Sequence, residues 1–366
     1  MALETLGILG LSAGGLAAVL GITYMRVAPI IPFLYSNARI NARANYMLSG
    51  TKIDSLAESK TTGEMVNSMT DSDYAQYIES TEDIWELHAS IEKGFLESIK
   101  ELQKSSPEQI HGIFNSYMGF WEAKIIKTFY RQRFTQKDFE QIDKTIVFPV
   151  GTLTVDKIKR LNETKTIADM KVVLGTTVYS KAFDKEYDSL EEFEIAIDNI
   201  VFDEFVKSVQ EAKIADKNVI INLFNTKFDI LNLLVLLKCE ARDIDEDKRK
   251  RLLIQNNSAL FGRVDDLVYA KDVADLVEKT KGLPYYKVLE EALEIYNKDK
   301  SLSNFEKGLL KYYKNLVESQ ELAHFQGPFP LIAYLVKKEL EQRNLLVISK
   351  GIEAGFTSSE IKELIV

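Results

Sequence analysis

IDSLAESKTTGEMVNSMTDSDYAQYI, residues 53–78, can be laid without a gap over two later stretches of the same chain. These are IKRLNETKTIADMKVVLGTTVYSKAF at 158–183 and VDDLVYAKDVADLVEKTKGLPYYKVL at 264–289. The offsets, 105 and 106 residues, are the length of a small domain. The shared positions make physical sense. Ile53, Ile158 and Val264 are each followed three residues later by Leu56, Leu161 or Leu267, as on one face of a helical turn. A lysine comes next (Lys60, Lys165, Lys271), then Thr61, Thr166 or Asp272, with an acid three residues on at Glu64, Asp169 or Asp275. That is the capping-box pattern or close to it, so each copy is expected to start a helix at the same point. Met65, Met170 and Leu276 enter the core first, and Tyr74, Tyr179 and Tyr285 coincide after them.

A second, looser match lies downstream. Residues 121–133, 229–241 and 341–353 share the apolar pairs Ile125-Ile126, Leu233-Leu234 and Leu345-Leu346. Each copy is therefore expected to close with a long helix. Between these landmarks, 81–104 and 190–212 are charged and amphipathic at helical spacing. Strand-like alternation is short, as in Lys171-Val-Val-Leu. Ser105-Ser106-Pro107, Thr135-Gln-Lys-Asp and the stretch 244–251 read as loops. The expected fold class is all-α, with three similar helical domains from an internal triplication at 35–145, 146–250 and 251–366, preceded by an N-terminal hydrophobic helix within residues 1–34.

Composition bounds the function. The chain has 366 residues, 46 % hydrophobic and 28 % charged, a globular balance. Its net charge of -9 argues against nucleic acid as a partner, because phosphate binding needs a concentrated positive field. The basic run Lys248-Arg249-Lys250-Arg251 follows four acids at 243–247 and reads as a solvated linker. The one cysteine, Cys239, lies by an apolar run and reads as a small buried hydrophobe.

Residues 5–25, TLGILGLSAGGLAAVLGITYM, carry no charge. As a helix they span about 31 Å, the thickness of a bilayer's hydrocarbon. Glu4 stands before them and Arg26, Arg39 and Arg43 after, which places the N-terminus outside and the rest of the chain on the cytoplasmic side. A cleaved signal would open with a basic region rather than Glu4. Five glycines would weaken a soluble helix, so the expectation is a membrane anchor that ends at Pro29 and Pro32.

Chemistry is scarce. The chain has no G-x-x-x-x-G-K-[ST] phosphate loop, no G-x-G-x-x-G, no H-E-x-x-H and no C-x-x-C. His88, His111 and His324 are far apart, and Glu191-Glu192 and Glu290-Glu291 sit in solvated amphipathic runs. Phe114, Tyr117, Phe120 and Trp121 fall at helical spacing and read as core. No catalytic residue, cofactor site or metal site is expected.

Three blocks carry a resemblance. Tyr35-Ser-Asn-Ala-Arg-Ile-Asn-Ala-Arg43 opens the region after the hydrophobic segment. Gly327-Pro-Phe-Pro-Leu-Ile-Ala-Tyr334, followed by Leu-Val-Lys-Lys-Glu-Leu-Glu-Gln-Arg-Asn344, stands near the end, and Gly355 to Val366 closes the chain. Together they resemble the C subunits of the archaeal A-type ATP synthases, relatives of the d subunits of the eukaryotic V-ATPases. The likeness runs from about Tyr35 to Val366, so the anchor rests on hydropathy alone. The resemblance implies a funnel of three helical domains between the proteolipid ring and the central shaft, at the membrane's cytoplasmic face, passing torque while chemistry happens elsewhere. By matching motif it marks Asn37, Ala38, Arg39 and Arg43 on the first helix, and Pro328, Pro330, Tyr334, Glu339 and Arg343 on the last. For each, helix packing or intramolecular pairing stands beside an interface role. The competing readings are a helical membrane scaffold unrelated to ATP synthase and a membrane-anchored helical hydrolase; copurification with the ring and the shaft separates them.

Overall fold

Each capping signal starts a helix where the sequence places it. In the computed structural model, which describes residues 24–25, 27–78, 83–135 and 148–366, the Thr61 side chain accepts the Glu64 N–H, Thr166 accepts that of Asp169, and Asp272 accepts that of Asp275. The acid then turns back to the chain before it, accepting the backbone N–H of Lys60, Lys165 or Lys271. The recurrent lysine thus meets its acid through the main chain, one residue ahead of the cap.

From these caps each aligned stretch leads through short helices into longer ones, two in the first and second and three in the third. The first gives α1 (Leu34–Arg43), α2 (Thr51–Leu56), α3 (Thr62–Asn67), α4 (Ile84–Lys104) and α5 (His111–Thr135). The second gives α6 (Val155–Glu163), α7 (Ile167–Leu174), α8 (Leu190–Glu211) and α9 (Lys217–Ala241). After α10 (Glu246–Arg251), the third gives α11 (Val264–Val268), α12 (Val273–Lys279), α13 (Tyr286–Asp299), α14 (Ser303–Ala323), α15 (Phe329–Glu353) and α16 (Ser358–Leu364). The closing helices α5, α9 and α15 are each 25 residues long. Among the described residues there is no β-strand, only an isolated bridge between Val150 and Leu153. The chain is all-α.

Packing between the long helices runs in a circle. α5 lies along α8, α9 along α14, and α15 returns to lie along α4. At each crossing a tyrosine from the aligned stretch reaches the closing helix of the stretch before it. Tyr285 donates to Asp229 on α9 at 2.8 Å, and Tyr74 donates to Glu341 on α15 at 3.3 Å. Tyr179 donates to the Gly119 carbonyl on α5 at 3.2 Å, on the turn that carries Glu122. The three acids also hold the segment that leads into the next short helices. Glu122 accepts from the Thr152 N–H and hydroxyl, Asp229 from Ser258 and Asn256, and Glu341 from the Leu48 N–H. At the first of these joints the chain needs Gly151, whose φ is +53° and whose missing Cβ would strike the Glu122 carboxylate.

Burial pushes the Glu122 carboxyl above the usual range, despite the Thr152 and Tyr179 hydrogen bonds and the Lys157 charge that act the other way. A raised folded-state pKa means that its contribution to stability is fully present below the unfolded value and is lost as pH rises through the folded one. Glu122→Gln keeps the acceptor for Thr152 without the charge. Denaturant midpoints should therefore favour the variant, relative to wild type, more at pH 7 than at pH 4. A difference that does not move with pH would contradict the raised value.

Some readings change. Residues 244–251, taken as a loop, contain the helix α10, and Arg249 of the basic run is buried at 5 % exposure. Residues 171–174 finish helix α7, because their period-2 look is also one helical turn with Val173 and Leu174 inside. Cys239 is buried as expected. Residues 5–23 of the expected anchor and all of the Thr135–Asp138 loop after Thr135 lie outside the described residues. Within them, α9 is long and apolar enough by length and composition to cross a membrane, with about half of that stretch buried against its neighbours.

Candidate functional site

Halfway along the closing helices the circle leaves a cavity of about 470 Å³. Its walls come from α5, α9 and α15, helped by α4 and α14. Phe120 and Trp121, Leu231 and Leu234, and Leu340 and Val347 make them largely apolar. Leu231 remains 40 % exposed there, which is unusual for a leucine in the middle of a long helix surrounded by others.

The charges in the walls are paired across helices. Lys227 of α9 donates to both Glu339 oxygens on α15, at 2.6 and 2.8 Å, and Tyr117 of α5 donates to the same carboxylate at 2.7 Å. One carboxylate thus joins all three closing helices. The Lys227 ammonium also stands 5.0 Å from the Phe120 ring centre and 5.8 Å from those of Tyr117 and Phe224, so its charge faces three aromatic surfaces as well as the carboxylate. Burial, then the Glu339 charge, pushes the Tyr117 phenol far up, so it stays a donor. Around the rim, Lys124 pairs with Glu92, which also accepts the Trp121 indole N–H at 2.9 Å, and Arg343 pairs with Glu306 at 2.7 Å. Lys350 completes the rim. Among the described residues no group of three His, Cys, Asp or Glu side chains is placed to hold a metal ion. The walls offer apolar area with charges paired across helices.

Seven of the nine residues marked from sequence fall in three places. Glu339 and Arg343 are in the cavity wall. Arg43 and Tyr334 meet at a second cluster, where Arg43 pairs with Glu101 at 2.6 Å and Asp73 at 3.7 Å, and the Tyr334 hydroxyl donates to Asp73 at 3.3 Å. Lys338, 1 % exposed, sits between Asp73 at 3.2 Å and Glu341 at 2.6 Å in that cluster. Asn37, Pro328 and Pro330 gather where α15 begins: Asn37 is buried and donates to the Gln326 and Gly327 carbonyls, and both prolines are buried. Ala38 and Arg39 are exposed.

Sequence reasoning missed Lys227, Tyr117, Asp73, Lys338 and Glu341. A signal existed for some of them. Tyr74, Tyr179 and Tyr285 coincide in the self-comparison, and Asp229 and Glu341 occupy the same place in its second match, with Glu122 one residue displaced. Lys227 has no such mark.

The sequence has counterparts among known proteins. The family model of the ATP synthase (C/AC39) subunit matches residues 36–364. The A-type ATP synthase C subunit of Methanocaldococcus jannaschii is 28 % identical, with 93 % of this chain and 88 % of that protein aligned. The C subunit of the Methanosphaera stadtmanae A-type ATP synthase is 26 % identical over 95 % of this chain and 91 % of its own length. That of Methanothermobacter thermautotrophicus is 24 % identical, over 98 % and 94 %.

Proposed function

This chain belongs to the ATP synthase (C/AC39) subunit family, and from that premise we propose that it is a non-catalytic central-stalk subunit of an A-type ATP synthase. It joins the rotating shaft to the membrane proteolipid ring on the cytoplasmic side. Torque passes through it while ATP synthesis and ion transport occur on other subunits. The observation that carries this reading is the cavity framed by three 25-residue helices. A torque-bearing link needs a stiff socket, and helices that close a circle through buried acid–tyrosine joints resist opening on every side.

The same joints support an internal triplication with domains at 35–145, 146–250 and 251–366, set as a funnel whose mouth is the cavity and receives the foot of the shaft. Glu339 and Arg343 line that mouth, and Arg39 faces out at the opposite end. Asn37, Arg43, Pro328, Pro330 and Tyr334 act by holding the frame. Residues 5–25 are the membrane anchor, and a helix that turns with the rotor belongs within the ring's central pore.

A pull-down of the tagged full-length chain from detergent-solubilised membranes, read by mass spectrometry, tests the reading. The expected result is a small proteolipid together with shaft and ATPase subunits. Recovery of the chain alone, or with unrelated partners, would replace the stalk role with that of a helical membrane scaffold.

A further inference from the structure

Three turns of the chain converge on one end of the molecule. The α4–α5 turn is held there by Ser36, whose hydroxyl donates to the Ser105 carbonyl at 2.6 Å. The α14–α15 turn is held by Asn37, donating to Gln326 and Gly327. The α8–α9 turn joins it through Asp216, held in a left-handed conformation and 2.9 Å from His324. Gly327 has no Cβ because one would meet the Asp216 carboxylate at 2.7 Å. The start of α1 lies against this end, with Phe33, Ser36, Asn37 and Ile40 turned inward.

What this end presents outward is apolar. Ile31, Leu34 and Tyr35 are 52, 56 and 68 % exposed, at the three- and four-residue spacing of one helix face. Across the seam closed by Asn37, Leu322 is 80 % and Phe325 63 % exposed. Arg39 stands beside them, exposed and without an ion pair among the described residues. Large side chains gathered in this way mark an interaction face rather than scattered surface apolarity. The chain itself indicates what covers it, since the uncharged stretch 5–25 runs directly into this end. Aromatic and aliphatic side chains beside an exposed arginine, where an apolar span leaves the bilayer, have the composition of the membrane interface.

We propose that this end of the molecule, through Leu34, Tyr35, Leu322 and Phe325 with Arg39 at their edge, rests in the lipid headgroup layer. The inference takes its choice of lipid as the occupant from the anchor reading above. It makes the base a lipid-bound bearing, while the cavity lies further along the helices toward the other end.

The test uses the full-length chain, whose Cys239 is buried and leaves the background thiol-silent. An environment-sensitive fluorophore is placed on Tyr35→Cys, Leu34→Cys or Phe325→Cys, on Ser12→Cys to report the anchor, and on Ala354→Cys as reference. Ala354 lies at the far end of α15, about 37 Å from its start. After reconstitution into vesicles of brominated phosphatidylcholine and phosphatidylglycerol, labels at 34, 35 and 325 should shift blue and be quenched several times more than the label at 354. Quenching at 12 with none at 34, 35 and 325 overturns the lipid-bound face and leaves the anchor standing. Quenching at 34, 35 and 325 without 12 upholds the face and removes the anchor, and quenching at none of the four overturns both.

Discussion

Lys338→Met is expected to destabilise the chain by about 3–5 kcal/mol, a large part of the stability of an ordinary domain. Lys338 is enclosed by Asp73 and Glu341, with its ammonium 4.6 Å from the Tyr74 ring centre. Methionine fills the space but leaves the Glu341 carboxylate in a nearly dry site. Burial already pushes that carboxyl upward, and the lysine charge is the main force opposing it. Without the lysine the folded-state value rises further, so the loss should be worst at neutral pH and shrink as acid neutralises Glu341. Adding Glu341→Gln removes the stranded charge and keeps an acceptor for the Leu48 N–H, so the double variant should regain more than about 1 kcal/mol. Denaturant titrations of the four proteins of the cycle, at pH 7 and pH 5, check both statements. A single variant as stable as wild type would mean that the hold of α15 on Leu48, Asp73 and Tyr74 does not depend on this pair.

Arg249→Leu is expected to cost a similar amount, about 3–5 kcal/mol, and to resist rescue. Arg249 pairs with Glu240, both nearly out of solvent, and also donates to the carbonyls of Ile244 at 2.5 Å and of Val268 and Ala270 at 3.1 Å. Leucine strands a carboxylate and three carbonyl oxygens together. Glu240→Gln in the leucine background addresses only the carboxylate, and each buried carbonyl left without a donor still costs about 1–3 kcal/mol. Arg249→Lys keeps the charge, but one ammonium cannot reproduce the planar fork that serves separate acceptors, so it should fall between wild type and leucine. The damage should be local, because these contacts tie the end of α9 to α11. Hydrogen exchange should quicken first in 264–270. If exchange rises evenly along the chain, Arg249 supports the whole fold rather than this junction.

The two substitutions differ in how far sequence could have pointed to them. Arg249 stands in a run of four basic residues behind four acids, and the solvated reading fits Lys248, Lys250 and Arg251, which are not buried. Nothing in a short charged helix tells which side chain turns inward until the neighbouring elements are in place. Lys338 sits beside Lys337, and only the packing of α15 against the segment that carries Asp73 and Tyr74 leaves the first 1 % exposed. The marked residues Arg43 and Tyr334 belong to the Lys338 cluster, so motif matching reached its edge without reaching its centre.

The sequence by itself determined the all-α class, the three capped starts, the recurrent tyrosines and the closing helices. Those signals are local: a cap acts over three residues and a helix face over three or four, so the chain writes them at short range. Tertiary structure alone decided which of 55 acids become the joints and which lysines are buried. It also decided that the helices meet around a cavity and that the turns gather under an apolar base. Tyr74 and Glu341 are separated by 267 residues and Leu48 and Glu341 by 293. At that distance a carboxylate in sequence looks like any other, and its role appears only when packing removes water from around it.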